Sequence, residues 1–383
     1  MVVVFVPKET SPFEKRVAAT PETVKSLAKQ GVEVLVETSA GAAAGMSDAD
    51  FVTVGARIVA NAKDGYGTAD IVLKVRPPND DGEVAALKPG TILISSLQPT
   101  TRLPLVRSLA EAKVTTFALD LMPRITRAQK MDILSSQATV AGHQAVLLAA
   151  CALPKMFPLM MTAAGTLTPA RVFVMGAGVA GLQAIATAKR LGAIVEATDV
   201  RAAAREQVES LGAKFVDTTG GQTAEGQGGY AKEQGEDALK RQRDTLKALL
   251  AGVDVVVTTA LIPGRKAPVL VTADMVAGMR AGSVLVDLAV ESGGNVEGSV
   301  AGETVVVNGV SIIGEPNLPA MKAADASRMF ARNVLGFLEL IVTKKGELTP
   351  KWDDECVAGT LVTRDGEIRH AASAQQLSAK GAS

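Results

Sequence analysis

The chain has 383 residues, enough for two domains of ordinary size, and its 40 lysines and arginines balance 40 aspartates and glutamates. That balance leaves no basic excess for nucleic acid or for an anionic membrane surface. Aromatics make up only 3 % while alanine, valine and glycine abound, a composition of tightly wound α/β layers rather than of a β-sandwich.

The opening MVVVFVPKE reads as a buried strand, without the charged leader or cleavage site of a signal sequence. No apolar run reaches the length of a membrane span. Across residues 1–120 the pattern predicts strands at Val2–Val6, Val32–Glu37, Ile71–Val75, Thr91–Ser95 and Val114–Ala118. Between the first two, Thr20-Pro21-Glu22 supplies a cap, a first-turn proline and an early acid, and Gly31 ends that helix. This unit carries no G-x-G-x-x-G, so it is expected to wall a cleft rather than to hold a dinucleotide.

Next comes Met122–Gln137, MPRITRAQKMDILSSQ, which concentrates Arg124, Arg127, Gln129, Asp132 and Ser135 where the chain passes to its second unit. Two readings stand side by side. These groups grip the carboxamide end of a nucleotide, or they form a charged helix cap with Asp132 at the N-terminus. Residues 131–152, rich in small and aliphatic side chains, read as the connecting helix.

The second unit opens on the strongest signal, RVFVMGAGVAGLQAIATAKRLGAIVEATDVR at Arg171–Arg201. A β-branched run, glycines at 176, 178 and 181, an alanine-rich helix and an acid about 20 residues on make a dinucleotide-binding fingerprint. Gly176 permits a tight turn, Gly178 lets pyrophosphate approach the backbone, and Gly181 lets the helix lie close to its strand. The free N–H groups at the helix start hold phosphate charge. Asp199 is placed to accept both hydroxyls of the adenosine ribose and to repel a 2′-phosphate, which favours NAD(H); Arg201 is the one group that could hold such a phosphate.

Further strands are expected at Ile194–Thr198, Lys214–Val216, Val253–Thr259, Ser283–Leu288 and Val310–Ile313, with Thr304–Val307 paired through Asn308-Gly309. The segment Asp217–Gln234 holds glycine, glutamine and charge around the lone aromatic Tyr230. It reads either as a solvated loop or as a lid over the nucleotide. A helix from Ala323 to Ile341 returns to the first unit, a hairpin turns at Asp365-Gly366, and the last polar residues read as loose. Of the two cysteines, Cys151 falls in a helical and Cys356 in a strand-like run, as suits a reducing cytosol. The fold expected is α/β, two Rossmann-like doubly wound parallel-sheet domains separated by a cleft: residues 1–135 with 317–383, and 136–316.

An alcohol or amine dehydrogenase needs a proton acceptor at the reacting carbon. The two histidines, His143 in the connecting helix and His370 in the C-terminal hairpin, read as structural; Lys74 and Arg16 remain as substrate-binding groups. No zinc spacing, serine triad or P-loop lysine appears. Hydride transfer between two nicotinamide rings needs no such acid or base, because no proton moves at either carbon. The protein has only to align the rings and exclude water.

The glycine fingerprint together with PRITRAQKMDILSSQATVAG, GGYAKE, TTALIPGRKAP and VDLAVESGGN resembles the NAD(H)-binding component, domain I, of proton-translocating nicotinamide nucleotide transhydrogenases. The resemblance runs from VPKE to TRDGEI. It implies that Arg124, Gln129, Asp132 and Ser135 hold the dihydronicotinamide, with Gln129 reaching toward the partner's NADP(H). Ala177, Gly178 and Val179 match the pyrophosphate turn, and Asp199, Val200 and Arg201 the adenosine end. Gly229 and Tyr230 match the mobile loop, Gln242 the helix after it, and Leu261 the loop beneath the ring. It also implies direct Si/Re-specific hydride transfer, a homodimer, and docking at the inner face of the cytoplasmic membrane on membrane-spanning subunits and an NADP(H)-binding domain, with transfer coupled to proton translocation. The related alanine dehydrogenases share the segment around Arg16 and the strand carrying Lys74. They place a catalytic histidine where this chain has Ser96, and an acid where it has Glu291. An amino-acid dehydrogenase is therefore the alternative, and an NAD-sensing module without turnover a third reading.

Overall fold

Buried β-branched runs and capped amphipathic segments alternate along a computed structural model of the chain, which describes residues 1–79, 81–218, 236–261, 264 and 266–381. They gather into two compact units, Met1–Gln137 with Ala320–Ser383, and Ala138–Pro319.

The first unit begins β1 (Val3–Val6), α1 (Pro21–Lys29), β2 (Glu33–Glu37), α2 (Asp48–Thr53), β3 (Arg57–Val59), α3 (Ala62–Thr68), β4 (Ile71–Leu73), α4 (Asp81–Ala86), β5 (Ile92–Ser95), α5 (Leu103–Glu111), β6 (Thr115–Ala118). Its parallel strands lie in the order β6-β5-β4-β1-β2-β3, so the sheet reverses direction of growth between β1 and β4. Phe5 stands opposite Leu35 on one neighbour and Val72 on the other. Both faces are apolar and buried. Phe5, Leu35, Val72 and Leu93 line one, while Val4, Val36, Leu73 and Ile94 line the other, as a sheet covered on both sides requires. Thr20 caps α1 in a capping box with Thr23, and Gly31 turns the chain out at φ 78°. The short strand β3 was not expected from the sequence.

The helix α6 (Ile133–Ala152) leads into β7 (Met160–Thr162) and β8 (Gly165–Leu167), an unexpected hairpin that pairs with itself and leaves every residue of both strands exposed. Then follow β9 (Arg171–Met175), α7 (Val179–Arg190), β10 (Ile194–Thr198), α8 (Ala204–Ser210), β11 (Lys214–Phe215), α9 (Glu236–Leu250), β12 (Val255–Thr258), α10 (Ala273–Ala277), β13 (Val284–Asp287), β14 (Thr304–Val307) and β15 (Val310–Ile313). The strand order is β11-β10-β9-β12-β13-β15-β14, parallel except for β14, which returns through the left-handed pair Asn308 and Gly309. Here the sheet reverses between β9 and β12.

The chain then re-enters its first unit as α11 (Ala323–Leu338), α12 (Glu355–Thr360), β16 (Leu361–Arg364), β17 (Glu367–Ile368) and α13 (Ala371–Gly381). Antiparallel β16 extends the first sheet at β6, and Phe337 meets Phe117 edge-on at 5.1 Å. Two expectations fail here. Cys356 is buried in a helix, α12, not in a strand. The polar C-terminal residues are not loose but form α13, because Ser373 is fully buried and donates to the Pro99 carbonyl at 3.0 Å.

Close packing at α7 depends on an absent side chain. A Cβ on Gly181 would stand 1.8 Å from the Gly176 carbonyl oxygen, so Gly181→Ala should cost about 1–3 kcal/mol of stability. Gly67 in α3 is exposed with nothing within 4 Å of its Cβ position, and Gly67→Ala should instead stabilise by about 0.5–1 kcal/mol. Urea denaturation of both variants tests this; a Gly181→Ala protein as stable as the parent contradicts it.

Candidate functional site

In a doubly wound sheet, ligands bind beyond the carboxyl ends of the strands where the strand order reverses. In the second unit that point lies between β9 and β12, and the glycine fingerprint ends β9 there. Gly176 takes φ 101°, which an L side chain resists, and Gly178 starts α7. No side chain caps α7, so its first-turn N–H groups face outward as an anion site. A Cβ on Gly178 would meet nothing within 4 Å. That open side is the space a pyrophosphate requires, and Val179 beside it is exposed.

Asp199 follows β10 and closes the turn. Its Oδ2 accepts from the Ala177 N–H at 2.7 Å, and its Oδ1 from the Arg201 N–H at 2.9 Å. The Arg201 guanidinium forks onto the same carboxylate, Nε to Oδ1 at 2.8 Å and Nη2 to Oδ2 at 2.9 Å. Burial alone would raise the Asp199 pKa; the Arg201 fork and the two backbone donors outweigh it and hold the carboxyl below its usual value. The carboxylate was expected to face a 2′-phosphate without a dependable countercharge. Arg201 is that countercharge. Each Asp199 oxygen already carries two donors, so a ribose diol gains the carboxylate by displacing some of them.

Val200 lies between these two residues, and Leu261 lies three residues past the end of β12, exposed. Thr259, before it, donates to the Gly176 carbonyl at 3.0 Å. Gly176, Ala177, Gly178, Val179, Gly181, Asp199, Val200 and Arg201 thus form one turn, with the root of the Leu261 loop bonded to it. Gly229 and Tyr230 lie outside the described residues, as does the side chain of Gln242, whose backbone belongs to α9.

Arg124, Gln129, Asp132 and Ser135 belong to the other unit. A 3-10 turn over Thr126–Met131 precedes α6. Asp132 precedes the first residue of α6, accepting from the Ser135 N–H at 2.9 Å and its hydroxyl at 2.6 Å. Arg124 and Gln129 are exposed on the same segment, and Arg127 is turned aside to Asp354 at 2.5 Å. The amide of Asn333 on α11 fixes the segment, donating to the Lys130 carbonyl at 2.8 Å and accepting from the Ser136 hydroxyl at 2.6 Å. Capping and ligand-gripping are therefore compatible uses of one loop.

The first unit's own reversal point, between β1 and β4, is filled by its own charges. Lys74 is buried against Glu83 at 3.0 Å and Glu9 at 3.6 Å, and Arg16 against Glu14 at 2.7 Å. Both cations that resemble substrate-binding groups are matched internally. His143 bonds Thr187 at 3.2 Å and His370 bonds Ser373 at 2.8 Å, both structural contacts. Among the described residues no cluster of His, Cys, Asp and Glu could hold a metal ion.

Burial pushes the Glu9 carboxyl up to about 7 against the pull of Lys74, whose charge it shares with Glu83. The folded chain therefore keeps a proton that the unfolded chain loses near 4.5. Relative to Glu9→Gln, the parent should lose stability as pH rises from about 4.5 to about 7. Parallel unfolding curves across that range would refute it.

At the adenosine end, Asp199→Ala should narrow the preference for NADH over NADPH by freeing Arg201 for a 2′-phosphate. Arg201→Ala should widen it, by about tenfold, by baring the carboxylate. Fluorescence titrations decide; a parent protein with equal affinity for the two nucleotides, or both substitutions moving the ratio one way, contradicts this account.

Sequence reading missed Thr259, Asp287 and Asn295, which organise the β12 end; the signal was two glycines before an asparagine in VDLAVESGGN.

The chain matches the family model for the alanine dehydrogenase/PNT N-terminal domain over residues 5–141 and that for the C-terminal domain over residues 145–371. The second match includes residues that fold back into the first unit. Over 374 residues it is 52 % identical to the first part of the NAD(P) transhydrogenase subunit alpha of Rhodospirillum rubrum, covering 96 % of this chain and 97 % of that one. An alanine dehydrogenase of Halomonas elongata is 32 % identical, with 97 % and 95 % covered. Among solved structures, a transhydrogenase from Sinorhizobium meliloti superposes with a TM-score of 0.85 at 46 % identity, covering 97 % of this chain and 99 % of that chain. The chain belongs to the alanine dehydrogenase/PNT family.

Proposed function

We propose that this chain is the NAD(H)-binding component of a proton-translocating transhydrogenase, with NADP(H) held by a separate partner domain. The observation that carries the reading is the glycine turn at the β9/β12 reversal point, in a chain whose two histidines are both engaged in structural bonds. A reaction without proton transfer at carbon suits those residues better than an amino-acid dehydrogenase, and the 52 % identity to a transhydrogenase subunit supports it. Residues 136–316 form the NAD(H)-binding domain on this reading, and residues 1–135 with 317–383 the other.

Bound here, NAD(H) supplies the hydride that passes, with Si/Re specificity, to or from the partner's nucleotide. The chain's own residues orient and shield. The α7 N-terminus and Gly176, Ala177, Gly178, Val179 and Gly181 hold the pyrophosphate. Asp199, Val200 and Arg201 take the adenosine end, and Leu261 stands under the ring. Arg124, Gln129, Asp132 and Ser135 orient the dihydronicotinamide, with Gln129 toward the partner. Gly229, Tyr230 and Gln242 are assigned to the loop and helix that close on the nucleotide.

The β7–β8 hairpin supports a homodimer. Met161 is 78 % and Leu167 50 % exposed on a two-stranded ribbon that is marginally stable in water at best, and Met156 and Leu159 just before it are about half exposed. A second copy of the chain is its occupant. Among the described residues no helix is long and apolar enough to cross a membrane. Coupling to proton movement is therefore assigned to membrane-spanning partners, with this chain at their cytoplasmic face.

The isolated chain should bind NADH yet transfer no hydride to an NADP analogue, and should turn over rapidly once the NADP(H)-binding domain is added. Asp132→Asn keeps a helix-capping side chain, so its loss should appear in rate rather than in stability. Arg124→Ala and Asp132→Asn should slow the mixed system about 10²-fold with little change in NADH affinity. Transfer by the chain alone, unchanged rates in these variants, or reduction of pyruvate with ammonia and NADH would overturn the assignment.

A further inference from the structure

One buried side chain beyond β13 bonds both Ala260, just past β12, and Pro268. Asn295 is fully buried. Its amide nitrogen donates to the Ala260 carbonyl at 2.9 Å and the Pro268 carbonyl at 2.8 Å, while its Oδ1 accepts from the Ala260 N–H at 3.0 Å. A flipped amide would set donor against donor and oxygen against oxygen, so the orientation is fixed. Its carbonyl takes the N–H groups of Leu270 and Val271 at 2.8 and 3.0 Å.

Asn295 is itself held from below. Asp287, the last residue of β13 and fully buried, accepts from the N–H groups of Asn295, Ala289 and Val296 and from the Thr258 hydroxyl. The chain reaches that carboxylate through Gly293 and Gly294, at φ 99° and 81°. A Cβ on Gly294 would stand 2.9 Å from Asp287 Oδ2. Next to Ala260, Thr259 ties the chain to the nucleotide turn: its hydroxyl bonds the Gly176 carbonyl and would lie 2.6 Å from a Cβ on Gly176. One bonded frame thus runs from the glycine turn through Thr259 and Ala260 to Asn295 and Asp287. Asp199, just past β10, meets the glycine turn from the other side through the Ala177 N–H and is bonded to neither Thr259 nor Asn295 in this frame.

A dinucleotide straddles the reversal point, with its adenosine half on the β10 side and its other half on the β12 side. We propose that Asn295 is a positioning residue that sets Ala260, and Leu261 after it, against the glycine turn and so orients the nicotinamide half, without acting on the adenosine half. This rests on the NAD(H) site argued under Proposed function.

The test compares two nucleotides on the full chain. Calorimetric titration of Asn295→Ala should show NADH affinity reduced about tenfold and 5′-AMP affinity unchanged. Hydride transfer to the partner's NADP analogue should fall about 10²-fold at saturating NADH, a loss in kcat rather than in KM alone. Thr259→Val keeps the side-chain volume and removes the hydroxyl's bonds to the Gly176 and Met175 carbonyls, and should give the same pattern more weakly; it decides the matter if Asn295→Ala fails to fold. Equal losses for NADH and 5′-AMP, or no loss for either, in a folded variant overturn the proposal. The expected unequal losses in the variant, with a parent chain that transfers no hydride with the partner, overturn the functional reading alone.

Discussion

One short hydrogen bond, from the Ala177 N–H to Asp199 Oδ2 at 2.7 Å, ties the end of β9 to the end of β10. It needs Ala177 turned by the left-handed Gly176, and it is strongest with Asp199 ionised. The Arg201 fork secures the second condition. The open flank of Gly178, the uncapped start of α7 and the carboxylate proposed to take the ribose are all positioned by that bond. If it were lost, the turn would still be glycine-rich but would have no fixed aim. The carboxylate is thus a structural strut first, and the ribose contact proposed for it would compete for the same lone pairs.

The two units share a strand order and differ in what lies at its reversal point. In the first, Glu9, Glu14 and Glu83 meet Arg16 and Lys74 beneath the ends of β1 and β4, and the charges satisfy one another. In the second, backbone N–H groups and an unfilled flank are left at the turn. Buried ion pairs add little net stability because desolvation offsets their attraction, so the first arrangement neutralises its own charges more than it strengthens the unit. The same topology yields a filled wall in one half and a nucleotide cradle in the other.

What the sequence made legible was local. Thr20-Pro21, the glycine fingerprint and Asn308-Gly309 each carry their constraint within a few residues, and each element stands where the pattern placed it. Asn295 was opaque because its partner Ala260 lies 35 residues away, and nothing in either segment shows that they meet. The Arg201 fork is close in sequence, yet which way a guanidinium turns depends on a rotamer and not on a motif. The C-terminal helix was missed because AASAQQLSAKG is polar, although alanine and glutamine favour helix and Ser373 anchors it. The exposed hairpin β7–β8 has no alternation of apolar and polar residues, since both its faces are open in the single chain.

The return of the chain into its first unit sets an order of events during synthesis. Phe117 packs on Phe337, Leu361 pairs with Phe117, and Thr363 bonds the Val114 carbonyl across 249 residues. Residues 1–137 therefore emerge from the ribosome without the helix and strand that complete their core. The second unit, contiguous from Ala138 to Pro319, has all its strands before the first is finished. The nucleotide-binding half can mature on the nascent chain, while the other half waits with one sheet edge and an apolar face bare. Contacts of such long range are also slow to form, so the last step in maturation belongs to the unit that began first.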